Sequence, residues 1–187
     1  MSLTIPNFLS ILRMGLVPFF IISVIDGEPR RALLIFVAAG VTDALDGAIA
    51  RLYGQQSLLG AYLDPIADKL LLTSAYVTLS IPGLHHGTPI PVWVTVLVLA
   101  RDILIVIMAL VLYLAQGVKR FPPSVLSKLT TVVQVTAVGI VLLSGLVKDL
   151  EPVVIAVAYL VAGMTVASGV DYILRSNQLV GDKDRAA

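Results

Sequence analysis

The sequence predicts an all-α integral membrane protein, with six transmembrane helices and a polar cavity that faces the cytoplasm. Three observations carry this. Hydrophobic residues make up 58% of the 187 positions and charged residues only 13%, about half the charged share of a soluble domain. The charges are clustered, and the gaps between them approach the roughly 20 residues that a bilayer-spanning helix needs. Four aspartates lie inside two of the apolar stretches instead of between them. This composition excludes a disordered chain and an ordinary soluble domain. The net charge of +1 excludes a nucleic-acid or other polyanionic partner. With no cysteine, disulfides, thiolate catalysis and cysteine-ligated metals are excluded. The length suits one domain, a membrane domain over 1–175 followed by a polar tail over 176–187.

The spans fall at about 6–25, 31–51, 60–81, 91–115, 126–147 and 152–173. The first carries one charge, Arg13. That charge and the lack of a small-residue cleavage site argue against a cleaved signal peptide. The second is apolar over 32–42 and then meets Asp43 and Asp46; the third opens on Asp64 and Asp68. The Pro/Gly/His stretch 81–91 ends it and starts the fourth, which holds Arg101 and Asp102. Residues 129–147 and 152–170 are uncharged and supply the last two. Turn-forming residues fill the breaks, and the short alternating segments of a β-barrel are missing. His85 and His86 lie in the loop opposite the acids and read as a solvent-exposed loop, not a metal site. Trp93 reads as an interfacial anchor. With both termini on one side, that side holds Arg51, Lys119, Arg120, Lys128, Arg175, Lys183 and Arg185 against Arg30, Arg31 and Lys148. The excess of positive charge puts the termini in the cytoplasm. The tail beyond Arg175 is polar and expected to fray.

Ionisable groups inside a bilayer are expensive and mark function. Asp43 and Asp46 are three apart, Asp64 and Asp68 four apart, so each pair shares one helix face. Folding the second and third spans into a hairpin sets Asp43 level with Asp68 and Asp46 level with Asp64, roughly 10–20 Å inside the cytoplasmic helix ends. Four carboxylates at that depth repel, and divalent cations relieve the repulsion. All-oxygen ligation suits Mg²⁺ or Mn²⁺, with one or two ions bound. The competing reading makes each aspartate a structural partner, but four at matched depths argue against it. Gly47 and Gly60 either let a ligand approach the backbone or pack helices closely. Arg51 either holds a phosphate or snorkels to the interface.

The residues Asp43-x-x-Asp46-Gly47-x-x-Ala50-Arg51, then eight residues to Gly60, Asp64 and Asp68, match all eight fixed positions of a 26-residue signature. They resemble the CDP-alcohol phosphotransferase family. Ile5-Pro6-Asn7 through Arg13 and Pro18 looks like the family's first segment. Leu63 through Lys69 is similar to the bacterial phosphatidylglycerophosphate synthase branch, as are Ser127-Lys128 with Thr130, Thr131 and Gln134. The resemblance implies a homodimeric six-helix enzyme of the bacterial inner membrane. It would transfer a phosphatidyl group from CDP-diacylglycerol to an alcohol and release CMP. It implies that Asp43, Asp46 and Asp64 bind two metal ions, that Asp68 is a ligand or the catalytic base, and that Gly47, Ala50, Arg51 and Gly60 line the CDP site.

The chemistry agrees with those residues on independent grounds. Attack of a hydroxyl on a pyrophosphate needs charge neutralisation on the leaving phosphate and a base for the hydroxyl. Direct transfer is expected, with an aspartyl intermediate as the alternative. Arg101 and Lys128, with Lys119 or Arg120, are candidates for an acceptor phosphate, since a guanidinium fork suits phosphate. The competing reading of Arg101 is an ion pair with Asp102. Glycerol 3-phosphate fits as acceptor. Where the synthase branch typically has Arg-Glu, this chain has Arg101-Asp102; with Pro123-Ser124 and Ser127-Lys128 the stretch also looks like eukaryotic-type cardiolipin synthases, whose acceptor is phosphatidylglycerol. A cation or proton transporter is the remote alternative.

Overall fold

The computed structural model describes residues 5–53, 58–116 and 124–184, and within them every regular element is a helix. The order is α1 (Ile5–Ile25), α2 (Pro29–Tyr53), α3 (Leu58–Ser80), α4 (Val92–Gln116), α5 (Val125–Ser144) and α6 (Glu151–Asp184). Five of the six agree with the expected spans to within three residues at either end. The sixth does not. The tail expected to fray after Arg175 continues as helix to Asp184. No proline interrupts 174–184, and straight-chain residues such as Leu174, Gln178 and Lys183 favour helix.

Helix starts follow local chemistry. Ser124 caps α5, its Oγ accepting the Ser127 N–H at 3.0 Å. Pro29 and Pro152 sit in first turns, where a missing N–H costs nothing. Pro18 and Pro65 lie inside α1 and α3.

Four helices, α1, α4, α5 and α6, are long and apolar enough to cross a membrane. Over their described residues α2 and α3, which carry the acids, do not meet that criterion. Large apolar side chains point outward along the helices, among them Leu34 at 63% exposure and Leu114 at 73%. Such a surface suits lipid as solvent. The protein is an all-α membrane protein.

The chain divides into two compact units, Met1–Ile90 with Val138–Val154 and Pro91–Ala137 with Ile155–Ala187. In the first, α1 packs against both α2 and α3. Ala32, Ala39, Ala67 and Ala75 are buried, and small residues let helices approach closely. Phe20 and Phe36 meet with ring centroids 6.0 Å apart. At the end of this unit away from the acids, the Thr88 N–H donates to Ser144 Oγ at 3.0 Å. In the second unit α5 and α6 are tied by Gln134 Nε2 donating to Thr165 Oγ1 (3.3 Å) and Thr130 Oγ1 donating to the Met164 carbonyl (3.2 Å). Trp93, the expected interfacial anchor, lies against Tyr159 at 5.6 Å.

The loop 81–91 is more than a solvent-exposed connection. His85 is half-buried, and burial pushes its imidazole below the usual value. The His86 ring lies 2.7 Å from where a Cβ on Gly27 would stand, and Gly27 has φ +67°. Gly27→Ala therefore meets both a left-handed backbone and an occupied space. It should destabilise the protein by about 1–2 kcal/mol, read as a lower Tm with unchanged turnover.

Candidate active site

The first helix organises the acids. Arg13 is the sole charge in α1 and its side chain is 1% exposed. A buried guanidinium is costly unless paired, and Arg13 has carboxylate partners on two other helices. Its Nη1 lies 2.8 Å from Asp43 Oδ1 on α2 and also donates to Asp68 Oδ1 on α3. One turn earlier, Ser10 Oγ donates to Asp64 Oδ1. Asn7, Ser10 and Arg13 are all buried, and their spacing of three places them along one face of α1. That face collects three of the four expected acids.

Asp43 and Asp68 are about half exposed, at 47% and 50%, so the cluster is open on one side. Asp68 is within electrostatic range of Asp43 and Asp64. The expected partnership of Asp43 with Asp68 is present, mediated by the shared guanidinium. Asp46, Gly47, Ala50 and Arg51 lie along α2 and Gly60 lies in α3. Their side chains fall outside the described residues, as do Lys119 and Arg120 altogether. The level pairing of Asp46 with Asp64 falls outside them for the same reason.

The sequence reading had passed over Arg13 and Ser10 as site residues. A signal was present: a lone arginine in an apolar span needs a partner at its own depth. The donor set fits a hard divalent cation, because every acidic donor is a carboxylate oxygen. Among the described residues no group of three or more His, Asp or Glu is gathered as a metal cage. Between Asp43 and Asp68 stands Arg13 instead.

The second unit has its own buried cation. Arg101 on α4 is 7% exposed and pairs with Asp102 at 2.8 Å. Its Nη2 donates to Ser127 Oγ on α5 (2.6 Å) and Ser168 Oγ on α6 (2.7 Å). The ion pair that competed with the acceptor reading is thus present, and two serines fix the same group. Arg101 Nε is buried and has no hydrogen-bond partner among the described residues. Lys128, beside Ser127 in the first turn of α5, is exposed. Thr130 and Gln134, matched earlier to the family, serve helix contacts, and Thr131 bonds back to the Ser127 carbonyl at 3.2 Å. Nothing in the sequence had marked Ser168.

Residues 3–167 match the CDP-alcohol phosphatidyltransferase family. The chain belongs to that family. The match takes in α1 through α5 and about half of α6. A probable phosphatidylglycerophosphate synthase of Mycobacterium tuberculosis is 38% identical over 183 residues, covering 94% of this chain and 82% of that protein. Human cardiolipin synthase (CMP-forming) is 32% identical over 183 residues, covering 88% of this chain and 58% of that protein. A CDP-diacylglycerol–glycerol-3-phosphate 3-phosphatidyltransferase of Haemophilus influenzae is 40% identical over 111 residues, covering 56% of this chain and 57% of that protein. This phosphatidyltransferase is an enzyme, and the transporter alternative falls away.

Proposed function

We propose that this phosphatidyltransferase moves a phosphatidyl group from CDP-diacylglycerol to the hydroxyl of glycerol 3-phosphate, giving phosphatidylglycerophosphate and CMP. The observation that carries the reading is the gathering of Asp43, Asp64 and Asp68 on one face of α1, in a chain similar to a phosphatidylglycerophosphate synthase over most of both lengths. Asp43, Asp46 and Asp64 hold divalent cations, Mg²⁺ or Mn²⁺ and two in number. Bound there, the cations would neutralise the leaving CMP phosphate. Asp68 orients the acceptor hydroxyl and takes its proton. The new O–P bond forms to the phosphatidyl phosphorus as the bond to the CMP oxygen breaks, and reactants held in line supply much of the acceleration. Gly47, Ala50, Arg51 and Gly60 line the CDP pocket, and Arg101 and Lys128 meet the acceptor phosphate.

In this reading all six helices span the inner membrane, residues 1–175 work as one membrane domain, the acid cavity opens to the cytoplasm, and the enzyme is a homodimer. α2 and α3 are less apolar than α1, α4 and α5 because the site they build is polar.

The test is CMP release from CDP-diacylglycerol with Mg²⁺ or Mn²⁺ and a panel of glycerol 3-phosphate, phosphatidylglycerol, inositol phosphate and serine. Glycerol 3-phosphate should give the highest kcat/KM. A preference for phosphatidylglycerol would establish the second reading, a cardiolipin synthase. That reading is favoured by the likeness to the human enzyme and to a Streptomyces coelicolor cardiolipin synthase (CMP-forming), 40% identical over 112 residues. No CMP release with any acceptor would overturn both.

Arg101 yields a separate prediction. A charge-assisted hydrogen bond of about 1.5–3 kcal/mol corresponds to roughly 10- to 150-fold in affinity. Arg101→Ala should raise the acceptor KM by about that factor while leaving the CDP-diacylglycerol KM within about threefold. Lys128→Ala should do the same less severely. Arg101→Lys should rescue only in part, since a point charge cannot replace the fork that Asp102, Ser127 and Ser168 hold. If Arg101→Ala lowers Tm and moves neither KM, Arg101 is only the structural partner of Asp102.

A further inference from the structure

Arg13 stands among groups expected to bind cations, and it is itself a cation. Its side chain is buried, fixed to α1, and in contact with carboxylates from two other helices. Arg13 is the cation that meets both Asp43 and Asp68. We infer that Arg13 is the resident counter-cation of the acid site, a positioning residue that clamps Asp43 to Asp68 from α1 and competes with divalent cations for the Asp43 carboxylate. The inference rests on the reading of Asp43 and Asp64 as metal ligands.

Two consequences follow from charge alone. Without Arg13 the carboxylates of α2 and α3 face one another with their repulsion unrelieved, and folding comes to depend on a divalent cation. The same loss makes the site more negative, so the cation binds more tightly. A purely structural arginine would produce the first kind of loss without the second. Ser10 is the neutral counterpart. Its hydroxyl satisfies Asp64 without adding charge, so Ser10→Ala serves as a control that changes the same face of α1.

The experiment compares thermal unfolding of the purified full chain across a Mg²⁺ titration that starts in excess chelator, for wild type, Arg13→Met, Arg13→Gln, Arg13→Lys and Ser10→Ala. A ligand that binds only the folded state raises Tm by mass action. The Mg²⁺ concentration at half-maximal stabilisation therefore reports affinity without reference to turnover. The two neutral variants should melt below wild type in chelator, recover most of the difference in saturating Mg²⁺, and show a midpoint lowered about tenfold or more. Arg13→Lys and Ser10→Ala should keep the wild-type midpoint to within about threefold. Neutral variants that melt lower by the same amount with and without Mg²⁺ would overturn the proposal. Should neither neutral variant fold, Arg13→Lys decides: a tenfold midpoint shift with the charge retained would overturn it. Wild-type CMP release that survives excess chelator would instead overturn the metal reading itself, a failure visible before any variant is made.

Discussion

Asp43→Asn and Asp64→Asn each leave a folded protein with turnover reduced by about 10³-fold or more. The size comes from the reaction. The leaving phosphate gains charge as its bond to the phosphatidyl phosphorus breaks, and divalent cations supply several kcal/mol of transition-state stabilisation at such a centre, which converts to about three orders of magnitude in rate. In the proposed reading each substitution removes a charge that the cations would need, and it leaves the side-chain volume nearly unchanged. The fold survives for a reason visible at the site. Arg13 keeps Asp68 when Asp43 is neutralised, and Ser10 can still donate to the amide oxygen of an asparagine at 64. The measurement is CMP release beside thermal unfolding, with wild type in excess chelator as the reference. Turnover within tenfold of wild type in either variant would remove that aspartate from the metal set.

Asp68→Asn should lower kcat by about 10²- to 10⁴-fold, the usual contribution of a positioned base, while binding of CDP-diacylglycerol stays within about threefold. The separation of the two effects is the point of the experiment. A base acts on the acceptor hydroxyl and is not needed to hold the donor. The amide retains an oxygen for the Arg13 guanidinium, so the contact between α1 and α3 persists. Equilibrium binding of the donor, measured in the presence of Mg²⁺, checks this. A loss of donor binding equal to the loss of kcat would make Asp68 a primary metal ligand instead.

The helices and the acid motif were legible in the sequence because both depend on where charge sits. Charged residues are so costly in lipid that their positions mark span ends where they cluster and function where they do not. Asp43, Asp46, Asp64 and Asp68 stood out on those grounds. Arg13 did not, although its physics is the same. A single charge in the first apolar span interrupts a pattern, and its partners lie 30 and 55 residues further along the chain. Ser10 and Ser168 were less legible still. A serine in a membrane helix bonds as readily to its own backbone as to a neighbour, and only the packed helices show that Ser168 serves Arg101. The end of α6 was misjudged for a different reason. Polarity predicts where a helix leaves the membrane, while its continuation depends on backbone propensity, and no proline in 174–184 breaks the helix.

Pro65 gives the acids of α3 a mechanical setting that those of α2 lack. It has no N–H to offer the Ala61 carbonyl, and its ring crowds the preceding turn; helices kink at such points. Asp64 rides on the weakened turn and Asp68 on the intact turn beyond it. Asp43 rides on a helix whose one proline lies at its start. The two walls of the cluster therefore differ in their backbones: Asp43 sits on a helix with no internal proline, while the turn that carries Asp64 holds an Ala61 carbonyl that Pro65 leaves to another donor.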